Sequence, residues 1–198
     1  MGLELDHIDG QTPLSEEEKD GLLIKTITTH NELDELEQLN IEKAIEWTIK
    51  TKFKKDQVLT ERFIKTLHKK MLGNIWSWAG EFRKSEKNIG IKWVMIGIEL
   101  KALLDDTKYW IENQTFPNEE IAIRFKHRLV NIHCFPNGNG RHSRIMADII
   151  MESIFGEEAF SWNQSNMVKA NQTRKNYLQA IREGDNGNIQ PLIDFAKN

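Results

Sequence analysis

Two runs of apolar residues at helical spacing flank a short glycine-containing interruption, and together they dictate a helix, a tight loop and a second helix. The first run, Ile121, Phe125, Leu129 and Ile132, follows the helix start Pro117-Asn118-Glu119-Glu120. The second, Ile145, Ala147, Ile149, Ile150, Met151 and Ile154, contains neither glycine nor proline. Between them stands His133-Cys134-Phe135-Pro136-Asn137-Gly138-Asn139-Gly140-Arg141-His142-Ser143-Arg144. Gly138 and Gly140 lack Cβ, so the backbone there can take positive φ and approach a ligand closely. Asn139 also tolerates the left-handed region. The second helix reads from Arg141 onward, so the loop ends at a helix N-terminus, where unpaired N–H groups and the dipole favour an anion. Arg141 and Arg144 share a face of that helix, and their forked guanidiniums match phosphate oxygens. Two cations in a first turn oppose the dipole; a bound polyphosphate removes that conflict. His133 ends the preceding helix, and an imidazole near neutral pH accepts a proton from a hydroxyl. Phe135 is expected to plug into the core and fix the turn. A phosphate site beside a base points to chemistry on a nucleotide.

The rest of the chain reads as further helices. Thr29-His30-Asn31-Glu32 is a capping-box pattern, followed by Ile41, Ala44, Ile45, Thr48 and Ile49 at helical period. Thr60 is placed to cap a helix with Phe63, Leu67 and Met71 on one face and Gly73 at its end. Leu100, Leu103, Leu104, Thr107 and Ile111 carry another; Tyr177, Leu178 and Ile181, then Leu192, Ile193 and Phe195, carry the last. One segment, Glu81 to about Ile98, breaks the pattern. Its Asn88, Gly90 and Gly97, with alternating Ile89, Ile91 and Trp93, suggest a hairpin or irregular flap. Residues 1–28 read as an irregular arm with Pro13 and a short acidic run at Glu16. The fold expected is all-α with one short β-element.

A chain of 198 residues can build one core, so a single domain is expected. A net charge of −3 gives no electrostatic case for nucleic acid or a membrane surface. The one cysteine, Cys134, suits a reducing, cytoplasmic setting. There is no apolar run after Met1 and none of membrane-spanning length.

The twelve-residue stretch resembles the signature of the Fic/Doc family, His-x-Phe-x-acid-Gly-Asn-Gly-Arg-x-x-Arg. Every fixed position matches except Asn137, which stands where most members have Asp or Glu. Trp78-Ala79-Gly80-Glu81-Phe82-Arg83 resembles the family segment that leads into a flap hairpin. Tyr177-Leu178-Gln179-Ala180-Ile181 and Gly187-Asn188-Ile189-Gln190-Pro191-Leu192 resemble its C-terminal end. Thr12-Pro13-Leu14, Ile27-Thr28-Thr29 and Asn88-Ile89-Gly90, with Pro136-Asn137-Gly138, resemble the subgroup called mobile mystery protein B.

The resemblance implies a Fic-type helical bundle over residues 29–198, with a short β-hairpin flap at about 81–98 and the motif at 133–144. It implies transfer of AMP from ATP to a Ser, Thr or Tyr hydroxyl of a target protein. On that reading His133 is the base. Gly138, Asn139 and Gly140 cradle phosphates, Arg141 and Arg144 neutralise them, and Asn137 contacts Mg²⁺ (or Mn²⁺) less strongly than an acid would. The flap residues Asn88, Ile89, Gly90 and Ile91 would dock the target by strand addition. Many members also carry a Ser/Thr-x-x-x-Glu-Gly/Asn helix whose Glu pairs with the second motif arginine, here Arg144. Glu112-Asn113, Glu183-Gly184 and Thr28 to Glu32 all fail that pattern, so a separate antitoxin-like partner is expected to supply the carboxylate. Two other readings stay open: transfer of another phosphate-containing group, as in the kinase-like Doc branch, against which Gly140 counts, and a nucleotide-binding module without turnover.

Other residues have plainer readings. Cys134 beside His133 reads as buried or linking rather than nucleophilic, because neighbours in a chain rarely point together. His127, His133 and His142 lack the spacing of a helical zinc pair. His30 and His68 are expected at the surface or in caps. The tryptophans Trp47, Trp76, Trp78, Trp93, Trp110 and Trp162 are expected in the core, and the acidic run at Glu16 on a solvated face.

Overall fold

Side-chain caps set several helix starts in the computed structural model, which describes residues 14–162 and 170–198. Helix α1 (Glu16–Asp20) starts at Ser15 and α2 (His30–Lys50) at Thr29, each with a reciprocal capping box. The one-turn α3 (Lys55–Val58) leads to Thr60, whose hydroxyl accepts from Phe63 N–H and opens α4 (Glu61–Leu72), closed by Gly73. Then come α5 (Ile96–Glu112), α6 (Asn118–Ile132, entered through Pro117) and α7 (Asn139–Ile149). A π-helical turn, Ile150–Phe155, continues α7 and stops at Gly156 in the left-handed region. Helices α8 (Ala170–Asp185) and α9 (Gln190–Lys197) complete the described chain. Thr12 and Pro13, with the rest of residues 1–13 of the expected arm, lie outside the described residues.

Helices α6 and α7 pack on each other at the centre. Helix α5 lies against α6, α4 bridges α2 and α7, and α9 joins α8 to α6. Ile64, Leu67, Met71 and Leu72 of α4, Phe125 of α6 and Met146 and Ile150 of the α7 segment are wholly enclosed. Leu22 and Ile27 of the expected arm also enter this core, and Leu22 makes an isolated antiparallel bridge to Trp76. No helix among the described residues is long and apolar enough to cross a membrane.

Several expectations need correction. The described residues contain no β-strand, so the hairpin flap is not there. Residues 81–92 are irregular, Trp93–Met95 form a 3₁₀ turn, and α5 already begins at Ile96. The reason lies in Arg83, whose buried guanidinium takes the carbonyls of Ser85 and Ile91 that a hairpin ladder would have used. The alternation of Ile89, Ile91 and Trp93 also hides no common face: Ile91 packs on the core, while Ile89 and Trp93 are exposed. On α2, Ile41, Ala44 and Thr48 are buried but Ile45 and Ile49 face outward, because the inward stripe runs through Leu33, Glu37 and Asn40 instead.

His68 is not a surface residue. It is fully buried and stacks on Phe135 with ring centroids 3.7 Å apart. The acidic run is only partly solvated, since Glu18 caps α1 and pairs with Lys87 of the irregular loop. Trp76 and Trp162 are core residues, whereas Trp93 is exposed.

Candidate active site

Three backbone features shape the loop between α6 and α7. His133 caps α6 in the left-handed region (φ 55°, ψ 61°), an uncommon conformation for a residue with a Cβ. Gly138 caps α7 at φ 77°, and a Cβ there would also lie 2.9 Å from Leu72 Cδ1. Asn139 closes the loop on itself. Its Oδ1 accepts from Phe135 N–H at 2.9 Å and its Nδ2 donates to Phe135 O at 2.8 Å. The Asn139 side chain is thus spent on loop shape, and its backbone is what it offers an anion.

Gly140 differs from the sequence expectation. It lies inside the first turn of α7, where no positive φ is required, and a Cβ there would meet nothing within 4 Å. Gly140→Ala should therefore leave the fold intact or stabilise it by up to about 1 kcal/mol, as alanine favours a helix. If a phosphate occupies that open space, the same change weakens nucleotide binding about tenfold, the ~1.4 kcal/mol of one lost close contact. Thermal unfolding and calorimetric titration on the same variant check the opposite signs.

Phe135 is fully buried, as expected, and meets His68, Phe82 and His142. His68 bridges two segments: Gly80 N–H donates to its Nδ1 at 2.9 Å, so Nε2 carries the proton and donates to Asn137 O at 3.0 Å. Burial, the neighbouring His142 and Arg141 hold His68 well below the usual histidine range, against the bond to Asn137. His142 Nε2 donates to Ile64 O at 3.0 Å, and burial lowers the ring to about 4, against that bond.

The His133 ring is almost enclosed, at 5 % exposure, beneath the irregular loop. Gly90 (φ 96°) lies on it so closely that a Cβ would stand 2.5 Å from His133 Cβ. Arg83 reaches the same point from below: its Nε donates to His133 O at 2.6 Å, and its backbone N–H to Cys134 O at 2.9 Å. Burial first, then the charges of Arg83 and Lys87, push His133 down to about 4, with a hydrogen bond to Val130 backbone acting the other way. The imidazole is therefore neutral at pH 7, the state that can take a proton. Cys134 is buried and its thiol is pushed up to about 12, chiefly by burial, so it is no thiolate nucleophile.

The two arginines at the start of α7 differ in surroundings. Arg141 donates to Glu37 Oε2 at 2.6 Å, and Glu37 Oε1 accepts from Trp76 Nε1 at 2.7 Å. The conflict with the dipole that the sequence suggested is thus partly answered by the protein itself. Among the described residues no carboxylate lies within ion-pair distance of Arg144; its guanidinium carbon stands over the Tyr177 ring, 5.5 Å from the centroid. The structure so brings His133, Gly138, Gly140, Arg141 and Arg144 around one helix start. Asn88, Ile89, Gly90 and Ile91 belong to the loop over His133 but form no strand edge.

For the divalent ion that the resemblance implies, the chain offers the neutral amide oxygen of Asn137, a weaker ligand than a carboxylate. Asn137 Oδ1 accepts from Gly138 N–H at 2.6 Å, and no group of His, Cys, Asp or Glu able to hold a metal occurs among the described residues.

Sequence reasoning missed Glu37, His68, Arg83 and Tyr177 as parts of this site. His68 is the polar member of an otherwise apolar stripe on α4, and Glu37 shares the inward stripe of α2 with Asn40 and Thr48; each signals that a polar partner waits inside. In the sequence Arg83 stands out only within a family resemblance, and Tyr177 only within a resemblance and a helical stripe.

Residues 58–151 match the model of the Fic/DOC family. A curated relative, "Protein adenylyltransferase Fic" of Aedes aegypti, is 25% identical over 175 residues, covering 86% of this chain and 32% of that protein. The chain thus spans about a third of the length of that relative. Among solved structures, BepC, a VirB-translocated effector of Bartonella tribocorum with bound AMPPNP, superposes with a TM-score of 0.66 at 18% identity, covering 92% of this chain and 97% of that one. Fic-1 of C. elegans gives 0.66 at 19% identity, covering 82% and 48%.

Proposed function

We infer that this chain, which carries a Fic/DOC family domain, transfers AMP from ATP to a hydroxyl side chain of a protein target. The observation that carries the reading is the neutral His133 imidazole held beside the N-terminus of α7, where Gly138, Gly140, Arg141 and Arg144 gather. The adenylyltransferase name of its curated relative and the AMPPNP bound to BepC support the same reading.

The step balances simply. The target oxygen attacks the α-phosphorus, the bond to the β-phosphate oxygen breaks, pyrophosphate leaves and the hydroxyl proton passes to His133. A base near 4 is weak, so the proton moves fully only once the forming P–O bond has acidified the hydroxyl. Arg141, Arg144 and the α7 N–H groups meet charge on the leaving phosphates, the main source of catalysis in such transfers. Because Gly90 lies on His133, a target reaches the ring only after residues 88–91 shift. Those residues choose the target through an irregular loop rather than an added strand.

Magnesium or manganese would arrive with the nucleotide phosphates, and Asn137 adds only a neutral amide oxygen. Asn137→Asp is expected to raise transfer about tenfold at low metal concentration, in the range by which coordinating groups tune metal affinity. Initial rates across a magnesium titration check it; unchanged rates at every concentration contradict it.

The likeness to mobile mystery protein B and a toxin–antitoxin role form part of the same proposal. Glu37 engages Arg141, the first motif arginine, so an inhibitory partner protein would direct its carboxylate to Arg144. Mass spectrometry of host lysate after incubation with the protein and ATP tests the reaction. AMP esters on Ser, Thr or Tyr are expected, absent with His133→Ala; simple phosphate adducts would favour the kinase-like reading instead.

A further inference from the structure

Arg144 is oriented by something other than a carboxylate. Asp148, one turn further along α7, is occupied elsewhere: it accepts from Trp162 Nε1 at 2.9 and 3.0 Å and from Phe160 N–H at 3.2 Å. The guanidinium of Arg144 instead lies over the Tyr177 ring of α8. The ring is fixed at both ends. Its edge packs on Phe195 of α9, centroids 5.4 Å apart, and its hydroxyl accepts from Lys126 Nζ at 2.6 Å. Lys126 is a fully buried amine on α6, and such a group is tolerated only where a hydrogen-bond partner is built for it. Its own charge is suppressed by burial and by Arg144, so the anchor adds little positive charge behind the arginine. A flat ring behind a guanidinium restrains it without taking up its N–H donors, whereas a carboxylate would compete with a phosphate for them.

We propose that Tyr177 is a positioning residue for the terminal phosphates of the nucleotide, backing Arg144 while Lys126 holds the ring by its hydroxyl. The inference rests on the phosphate role proposed above for Arg144. It concerns the β- and γ-phosphates alone, since AMP carries neither.

Calorimetric titration of the full chain with the β,γ-imido analogue of ATP and with AMP tests it. Tyr177→Leu is expected to weaken the ATP analogue about tenfold and to leave AMP within about twofold, the size of a partly desolvated cation–π contact. Tyr177→Phe keeps the ring and should stay within about threefold of wild type. Tyr177→Met, an adaptable apolar filler, takes the place of Tyr177→Leu should that variant not fold, with AMP binding as the check on folding. In an Arg144→Met background, Tyr177→Leu should have no further effect. Equal weakening of both ligands, full affinity in Tyr177→Leu, or additive loss in the Arg144→Met background would overturn the role of Tyr177 while leaving that of Arg144 standing. A wild-type affinity for the ATP analogue that ignores Arg144→Met, or no binding at all, would overturn the phosphate role of Arg144 and the inference with it.

Discussion

Acidification below pH 6.5 is expected to destabilise the fold, by at least about 1.4 kcal/mol per pH unit between pH 6 and 4.5. The cause is a set of buried histidines. His133 and His142 are lowered to about 4, His68 well below and His127 below the usual range, in each case mainly by burial. In the unfolded chain all four return to about 6.5. Between those limits the unfolded chain binds protons that the folded chain refuses, so their contribution is present above pH 6.5 and is lost as pH falls. Asp148 works in the opposite direction. Burial raises it to about 7, against the donors of Trp162 and Phe160, so below 7 the folded chain holds a proton that the unfolded chain releases until about 4. His133 and His142 less Asp148 leave about one proton, worth about 1.4 kcal/mol per pH unit, and His68 and His127 add to it in the same direction. Urea unfolding between pH 7.5 and 4.5 checks the slope. Asp148→Asn removes the opposing proton and should steepen it by about 1.4 kcal/mol per unit; a shallower slope in that variant would contradict the assignment.

Arg83→Lys is expected to behave as a severe change despite keeping the charge. The guanidinium serves His133 O, Ser85 O and Ile91 O at once, with Ile132 O at 3.5 Å. One ammonium on a flexible stem cannot reach all of them. Each buried carbonyl left without a donor costs about 1–3 kcal/mol, so a loss of about 3–5 kcal/mol is expected. The effect on chemistry should be larger than stability alone explains. His133 sits in the left-handed region with its carbonyl clamped by Arg83 and its side chain beneath Gly90. Releasing the clamp displaces the ring, and a shift of about 1 Å in a reacting group can cost about a hundredfold in rate. Urea unfolding at pH 7.5 and transfer rates at a temperature where the variant is fully folded separate the two effects. A folded Arg83→Lys protein with wild-type rates would show that the clamp does not position the base.

What could be read from the sequence was local. The helix–loop–helix around His133 is set by contiguous residues: an apolar stripe entering, a left-handed cap, Gly138 with positive φ, and an apolar stripe leaving. The caps at Thr29 and Thr60 are equally local, each a hydroxyl bonding a backbone N–H three residues on. What escaped depends on contacts between distant parts of the chain. Glu37 meets Arg141, His68 meets Asn137, and Lys126 meets Tyr177. No spacing rule links such pairs, although a glutamate or histidine on an inward stripe signals that one exists. The flap was misread because alternation along a chain is only half of a strand; the other half is a partner for its carbonyls, and Arg83 had taken them.

The most direct measurement of the proposed reaction uses ATP labelled at either the α- or the γ-phosphate, with purified protein, host lysate and magnesium or manganese. Wild-type protein should transfer label to protein from the α position alone, and His133→Ala should abolish it, a loss of at least about a hundredfold for a missing base. Label arriving from the γ position, or α-label undiminished in His133→Ala, would contradict AMP transfer with His133 as its base.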